Sequence, residues 1–156
     1  MADTTPAVQN PAARLWATSV GADPAFLLAR ANALSLADAT ASLAAQGLKV
    51  RSYSVLALAV AGSRPTQREL SEFLRLDPSQ IVSVIDDLEH RGWVRREPDP
   101  SDRRVNVVVA TDAGRAACAT AREAVESAQR AHFASLDDDE FRTFTVLLRR
   151  LAGTGE

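Results

Sequence analysis

The sequence has one cysteine, Cys118, so it cannot form an internal disulfide, which is typical of a reducing compartment. It has no apolar run of about 18 residues, and its start, MADTTPAVQNPAARLW, lacks the basic region and apolar stretch of a secretory signal. We therefore expect a cytoplasmic protein with no membrane partner. His90 and His132 lie far apart in the sequence and give no metal-ligand spacing, so we expect no metal and no cofactor.

Residue sets that carry catalysis are also missing. No Ser/His/Asp set, Cys/His set, pair of buried carboxylates or glycine-rich phosphate loop can be assembled, so we expect no enzyme. The acidic run at 137–140 is typical of a helix N-terminus, where carboxylates complement the helix dipole, and not of a metal site.

Charge is close to balanced but unevenly placed. The 18 basic and 20 acidic residues give a net charge of −2, whereas DNA-binding domains are usually basic. Local distribution matters more than the total. Every basic residue except Lys49 is an arginine, and five arginines crowd one short span: Arg91, Arg95, Arg96, Arg103 and Arg104.

Capping residues and apolar spacing predict several helices. An Ala/Leu-rich helix begins at Asp23 and Pro24 and ends near Gln46, and a second runs from about Val50 to Gly62. Towards the end of the chain, Thr111 begins a long helix that reaches about Ala134. A capping box of Asp137 and Glu140 begins the last helix, whose apolar face carries Phe141, Phe144, Leu147, Leu148 and Leu151.

Two short helices, which lie between the helix that ends at Gly62 and the one that begins at Thr111, form a helix-turn-helix pattern. Thr66 and Glu69 predict a capping box, and the helix that follows ends near Arg75 with a buried stripe of Leu70, Phe73 and Leu74. Asp77 and Pro78 begin the next helix, which ends at Gly92 and repeats Ile81, Val84, Ile85 and Leu88 at helical spacing.

A β-hairpin follows at once. We predict strands at Trp93–Glu97 and Arg104–Ala110, with Val105, Val107 and Val109 along one face and the tip EPDPSDR between them. A hairpin directly after the second helix is a wing. The surface then presents a helix for the major groove of duplex DNA beside a basic tip for the minor groove.

The predicted DNA-binding residues lie on this surface. Gln80 is the best base reader, because its amide can bond adenine bidentately, and Ser79 or Ser83 can contact base or phosphate. The full set is Pro78, Ser79, Gln80, Ser83, Asp87, Arg95, Arg96, Asp102, Arg103 and Arg104.

The chain resembles the MarR family of multiple-antibiotic-resistance type regulators over nearly its whole length. The matching segments are LKVRSYSVLALA, TQRELSEFLRLDPSQIVSVIDDLEHRGWVRR, DPSDRRVNVVVATDAGR and SLDDDEFRTFTVLLRRL. The resemblance implies a triangular homodimer whose long first, fifth and sixth helices interleave. It further implies that Asp102 braces Arg104, whose guanidinium enters the minor groove, and that an effector binds in a cleft between the dimer helices and the DNA lobe.

The second helix of the pair departs from the family pattern, because it carries Asp86, Asp87 and Glu89 where relatives usually place basic residues. An acidic outer face at Asp87 repels phosphate. We expect Asp86 and Glu89 to pair with Arg75 or Arg91 on the protein surface. The acidic helix also supports an alternative function, a winged-helix protein-interaction module with weak or lost DNA binding.

Candidate effector-binding residues are Trp16, Arg30, Arg51, Tyr53 and Arg115. An aromatic ring with a cation suits an aromatic or phenolic ligand. The alternatives stay open, since Trp16 can simply anchor the N-terminal arm and Tyr53 can belong to the core. Cys118 is expected to be a small buried hydrophobe and not a redox sensor.

These patterns predict a mainly α-helical fold with a small β-hairpin wing, in which long helices form a dimerisation region. We assign residues 1–22 to an N-terminal arm, 23–47 and 111–156 to the dimerisation region, and 48–110 to a winged helix-turn-helix lobe. The predicted function is a transcription regulator, with repression as the family's usual mode. It binds a pseudo-palindromic site in double-stranded DNA as a homodimer and is released by a small effector.

Overall fold

The computed structural model describes residues 11–153; residues 1–10 of the predicted arm and 154–156 of the predicted dimerisation region lie outside the described residues. The elements in chain order are α1 (Pro11–Trp16), a 3-10 turn (Ser19–Ala22), α2 (Pro24–Ala44), α3 (Val50–Val60), α4 (Gln67–Leu74), α5 (Pro78–His90), β1 (Val94–Pro98), β2 (Asn106–Ala110), α6 (Asp112–His132) and α7 (Asp138–Leu151). The predicted fold class, mainly helical with one antiparallel hairpin, is confirmed. Within 11–153, no helix has the length and apolarity needed to cross a membrane.

The chain divides into two compact units, the first ending at Ala37 and the second beginning at Asp38. The second unit holds the hydrophobic core. Its largest fully buried side chains are Leu43, Leu56, Leu70, Ile81, Ile85 and Leu88. Helix α3 packs against α5, α6 and β2, so the winged helix-turn-helix elements and the start of α6 share one core.

Side-chain caps fix where α4 and α5 begin. Thr66 Oγ1 accepts from the Glu69 amide at 3.1 Å, and the Thr66 amide donates to the Glu69 carboxylate at 2.7 Å, which confirms the capping box. Asp77 caps α5 by accepting from the Ser79 amide at 2.8 Å. Arg75 ends α4 in the left-handed conformation, with φ of 53°. These constraints leave only a tight turn between the two helices.

The wing is tied to the start of α6. The Thr111 hydroxyl donates to the Gly92 carbonyl at 2.7 Å and accepts from the Gly114 amide at 3.0 Å. Gly114 lies so close to Trp93 that a Cβ there would stand 1.9 Å from the Trp93 carbonyl oxygen. This close approach requires glycine and fixes the end of the hairpin against α6.

The predicted second strand was wrong in its start and in its buried face. It begins at Asn106 and not at Arg104, and Val108 and Ala110 face the core instead of the alternating set that begins at Val105. Val107 is also buried. The reason is that β2 pairs with the chain before α4 as well as with β1: Val107 bridges Thr66, and the Val108 amide donates to the Pro65 carbonyl at 2.8 Å. An inner strand of this kind does not show simple alternation.

The predicted buried stripe of α4 holds for Leu70 but not for Phe73. Leu70 is fully buried and Leu74 is half-buried, whereas Phe73 is 71% exposed. Because α4 ends at Leu74 and the chain turns at Arg75, no described element covers the outer side of its last turn.

The guanidinium of Arg96 links β1 to both helices of the helix-turn-helix. It donates from Nη2 to Asp86 Oδ1 at 2.6 Å and from Nη1 to Glu89, whose other oxygen accepts from the Arg96 amide at 2.7 Å. With its amide oxygen turned toward the guanidinium, Gln67 of α4 accepts from Nε and Nη2, both at 2.9 Å. One side chain therefore holds α4, α5 and the wing strand together.

This link corrects the predicted partners of the acidic residues on α5. Asp86 and Glu89 pair with Arg96 and not with Arg75 or Arg91. The chain turns back at Gly92, so β1 runs beside α5 and Arg96 lies next to residues seven and ten positions earlier. Helical spacing along α5 alone could not indicate that contact.

Replacing Arg96 should destabilise the second unit. Arg96→Ala leaves two carboxylates without their shared partner in a site where the arginine side chain is only 23% exposed, so we expect the free energy of unfolding to fall by about 2 kcal/mol. Urea denaturation at one fixed protein concentration measures the change.

The matched control is Arg95→Ala, one position away in β1. Arg95 is 57% exposed and, among residues 11–153, pairs only with Glu97, so we expect a loss below about 1 kcal/mol. Equal losses in the two variants would contradict a structural role for the Arg96 link.

Candidate DNA interface

The outer face of α5 is polar and exposed. Pro78, Ser79, Gln80, Ser83 and Asp87 all lie on it, as the helical spacing predicted. Asp77 binds both the amide and the hydroxyl of Ser79, at 2.8 and 2.5 Å, and these hydrogen bonds lower the pKa of Asp77 below its usual range. The Gln80 and Ser83 side chains make no such contacts among the described residues.

Sequence reasoning missed Val82 on this face. Its side chain is 40% exposed between Ser79 and Asp86, at helical spacing from both. An apolar group there can contact a thymine methyl. The helical spacing that places Ser79 and Ser83 on the outer face also places Val82 there.

Asp87 is not an isolated negative charge. Its Oδ2 accepts from Arg91 Nε at 3.0 Å, and the Arg91 guanidinium carbon lies 5.2 Å from the centre of the Trp93 ring. The pairing offsets the carboxylate charge on the outer face of α5, while the ring holds the arginine in place.

The wing tip presents Arg104 in a fixed orientation. Asp102 accepts from Arg104 Nε at 3.1 Å, from Nη2 at 3.2 Å and from the Arg104 amide at 3.0 Å. These bonds lower the pKa of Asp102, so the carboxylate is charged throughout the neutral range and the pair is lost only as the pH falls through the lowered pKa. The Arg104 side chain is still 90% exposed. The tip therefore offers a charged, ordered group to a ligand.

The other wing arginines differ in availability. Arg103 is exposed at the tip and makes no side-chain bond within the described chain. Arg95 donates to Glu97, whose second oxygen accepts from Arg64 at 3.0 Å, and the bond from Arg95 is the main cause of a lowered pKa of Glu97. Arg96 is engaged by α4 and α5 and serves to position the wing.

Two of the candidate effector residues lie together in the first unit. The Arg30 guanidinium carbon is 5.2 Å from the centre of the Trp16 ring, which packs edge-on against Phe26 with 6.3 Å between ring centres. Both Trp16 and Arg30 line a cavity of about 390 Å³ with Leu15, Thr18, Val20, Gly21 and Phe26. An aromatic wall with a cation at its edge suits a planar aromatic acid.

The other three candidates belong to the second unit. Arg51 is exposed, and Tyr53 packs against the core, where burial raises the pKa of its hydroxyl. Arg115 donates to the Ala110 carbonyl at 2.9 Å and pairs with Asp112 at the start of α6. Arg115 thus has structural partners already.

Other polar groups do not form a metal site. Over residues 11–153, no three His, Cys, Asp or Glu side chains cluster in a way that could hold an ion. His132 Nδ1 lies 2.7 Å from Asp38 Oδ2, and Cys118 is buried in the core.

Comparisons with known proteins match this geometry. The MarR family profile matches residues 48–105, which contain α3, the helix-turn-helix, and the first strand and tip of the wing. The chain is 31% identical over 87 residues to the multiple antibiotic resistance protein MarR of Escherichia coli, which covers 55% of this chain. It spans 60% of the length of that protein and 64% of a second curated relative, from Thauera aromatica.

Solved structures cover more of the chain. A MarR family transcriptional regulator from Rhodococcus sp. RHA1 is 36% identical, with a TM-score of 0.79 over 86% of this chain and 97% of that one. CouR from Rhodococcus jostii RHA1, bound to p-coumaroyl-CoA, is 37% identical, with a TM-score of 0.80 over 86% and 95%. A mutant E. coli MarR complexed with operator DNA is 25% identical, with a TM-score of 0.71 over 80% and 90%. With a winged helix-turn-helix built as in these proteins, the chain belongs to the MarR family.

Proposed function

We propose that this protein is a DNA-binding transcription regulator that binds a two-fold symmetric operator as a homodimer. The observation that carries the proposal is the bidentate contact of Asp102 with an almost fully exposed Arg104 at the wing tip. A narrow minor groove has enhanced negative potential that attracts arginine. Because the carboxylate orients the guanidinium in advance, less side-chain entropy is lost on binding.

Helix α5 supplies the sequence readout in this proposal. It contacts β1 directly, so the wing and the outer face of α5 belong to one rigid surface. Gln80 bonds adenine, Ser79 and Ser83 contact bases or phosphates, and Val82 contacts a thymine methyl. The related MarR structure complexed with operator DNA supports the same use of this lobe.

The acidic residues of α5 give little support to the alternative, a protein-interaction module without DNA binding. Asp86 and Glu89 are paired with Arg96, and Asp87 is paired with Arg91. Since each carboxylate has an arginine partner, the helix repels phosphate less than its sequence suggests.

Two substitutions separate the roles of wing and helix. We expect Arg104→Ala to weaken binding about tenfold at sites with A·T-rich flanks and to flatten the salt dependence. We expect Gln80→Ala to change sequence preference, since a bidentate base contact is worth about 1–3 kcal/mol of discrimination. Duplexes selected from a randomised library, titrated at two salt concentrations, measure both effects.

Two further variants control this experiment. Asp102→Ala should lose part of the DNA affinity that Arg104 contributes. Without the carboxylate, the arginine must be ordered on binding at a cost of about 0.5–1.5 kcal/mol. Arg142→Ala, an exposed arginine on α7, should bind as the wild type does. Equal losses on every duplex for Arg104→Ala and Gln80→Ala would overturn this division of roles, and no binding by the wild type would overturn the function.

The homodimer rests on apolar surface that one copy leaves open. Helix α7 has no buried residue, and Phe141, Val146, Leu147 and Leu151 are exposed on it. The first unit likewise exposes Leu15, Val20, Leu28 and Leu34. Apolar patches of this kind are typical of interfaces between subunits.

Disrupting this surface should separate the subunits. We expect Leu147→Glu to shift the sedimentation coefficient at micromolar concentration from dimer to monomer, because a charge must be buried without a partner. Arg142→Glu, at an exposed position on the opposite side of the same helix, is the control and should remain dimeric. A wild type that sediments only as a monomer contradicts the proposal.

The effector is proposed to be a small aromatic or phenolic acid that binds the Trp16 and Arg30 cavity and releases the DNA, so that the protein acts as a repressor. The similar CouR, which was crystallised with p-coumaroyl-CoA, supports an aromatic acyl ligand. The Trp16 and Phe26 rings supply apolar contact, and Arg30 supplies the charge opposite a carboxylate or another anionic group.

Calorimetric titration with p-coumarate and with neutral 4-vinylphenol tests this site. Arg30→Gln should weaken p-coumarate binding about tenfold, the value of a hydrogen bond to a charged group, and leave 4-vinylphenol unchanged. Arg14→Gln changes a basic residue of the same unit that does not line the cavity, and it should have no effect. Unchanged p-coumarate affinity in Arg30→Gln places the ligand elsewhere.

A further inference from the structure

We propose that Arg64 is a positioning residue for DNA binding, which pairs with Glu97 across β2 and so fixes the wing at the angle that lets Arg104 enter the minor groove. Arg64 lies in the turn between α3 and α4, outside both the helix-turn-helix and the hairpin. The inference rests on the proposed DNA-binding function and names a residue that sets the reach of the wing.

The turn before α4 lies on the side of β2 that faces away from β1. Thr66 of this turn bridges Val107 of β2, and Val107 pairs on its other side with Glu97 of β1. Because β2 lies between them, the Arg64 side chain crosses β2 to reach Glu97. Its Nη2 donates to Glu97 Oε2 at 3.0 Å, so one ion pair joins the turn to the outer strand of the wing.

Arg64 is held in a conformation that is costly for an arginine. Its φ of 48° lies in the left-handed region, where a side chain with a Cβ is strained. Its Nε is buried and makes no hydrogen bond within the described chain. A strained backbone and a buried polar atom without a partner persist only where the surrounding structure holds them. The turn therefore directs the guanidinium at Glu97 and leaves it little freedom.

The wing is fastened on both of its faces. Arg96 and Glu97 are neighbours in β1, so their side chains point to opposite faces of the strand. Arg96 is bound by Asp86 and Glu89 of α5, and Glu97 is bound by Arg64. A two-stranded hairpin held on one face alone can tilt about that contact. The second contact, from Arg64, removes this freedom.

The anchored strand leads directly into the wing tip. Two residues after Glu97, the Asp99 amide donates to the Val105 carbonyl at 2.8 Å, and the Val105 amide donates to the Asp102 carbonyl at 2.9 Å. Asp102 in turn holds the Arg104 guanidinium. Since hydrogen bonds connect every step from Glu97 to Arg104, a tilt of β1 at Glu97 displaces the arginine that we propose enters the groove.

The experiment compares two duplexes that share one core sequence and differ in having A·T-rich or G·C-rich flanks. The narrow minor groove of A·T-rich DNA attracts arginine, so the ratio of the two affinities reports how well Arg104 is placed. General effects of charge on binding cancel in this ratio.

Arg64→Asn keeps the turn and removes the ion pair. Asparagine accepts the left-handed conformation but is too short to reach Glu97. We expect the affinity ratio to fall about threefold, less than for Arg104→Ala, because the wing must then be ordered on binding. The melting temperature should stay within about 3 °C of the wild type, since the lost ion pair is partly exposed and the turn is less strained.

Glu97→Gln tests the same contact from its other end. The variant removes a negative charge from the wing, so charge alone predicts tighter binding to both duplexes. Positioning by Arg64 requires the affinity ratio to fall, as in Arg64→Asn. The matched control is Arg142→Asn, the same substitution at an exposed, paired arginine on α7, and its ratio should equal that of the wild type.

A double variant shows whether Arg64 acts through Arg104. With Arg104→Ala already present, Arg64→Asn has no arginine at the tip to misplace, so the ratio should equal that of Arg104→Ala alone. Losses that are equal on both duplexes and persist in the double variant mean that Arg64 contacts DNA phosphate itself, which overturns the positioning role.

The remaining outcomes separate this role from folding and from the function on which it rests. A lower melting temperature of Arg64→Asn with an unchanged affinity ratio means that the contact serves stability alone, and the proposal is then wrong. A wild type that binds no duplex overturns the DNA-binding function itself. A wild type that binds well, with a ratio that Arg64→Asn and Glu97→Gln leave unchanged, overturns the role of Arg64 only.

Discussion

The contact of Arg96 with Asp86 and Glu89 is the interaction on which the candidate interface depends. A two-stranded hairpin has little stability by itself and must be held by other elements. Here β1 is fixed to α5 through the arginine side chain and backbone, and Gln67 extends the contact to α4. Because the same strand leads to the wing tip, the position of Arg104 relative to the outer face of α5 follows from this link.

The same contact explains how an acidic chain can form the proposed DNA-binding surface. The net charge of −2 and the carboxylates of α5 suggest repulsion of phosphate. In the structure, Asp86 and Glu89 neutralise Arg96, and Asp87 neutralises Arg91, so carboxylates and arginines cancel close to α5. Lys49 and Arg103 have no ion pair within the described chain, and Arg104 remains almost fully exposed. Free positive charge is concentrated at the two edges of the surface.

The described elements differ in how complete their packing is. The winged helix-turn-helix elements surround a closed core, with Leu56, Ile81 and Ile85 fully buried. Helix α7 and the first unit keep large apolar side chains exposed, among them Leu151 and Leu15. Apolar side chains left in contact with water are costly, which is consistent with a second subunit.

Local chemistry in the sequence determined the helix starts, the helix-turn-helix and the existence of the wing. Thr66, Asp77, Thr111 and Asp137 cap their helices as predicted, because a cap depends on residues two or three positions apart. The Asp102–Arg104 contact spans two residues and matches what the family resemblance implied. Helical spacing predicted the residues on the outer face of α5, but Val82 was not named among them.

Only the tertiary structure decided which distant groups meet. The partners of Asp86 and Glu89, the inner position of β2 and the exposure of Phe73 all depend on how the hairpin and α4 are placed against other elements. Periodicity reports which face of an element is apolar, but it does not report what that face or its polar neighbours will contact.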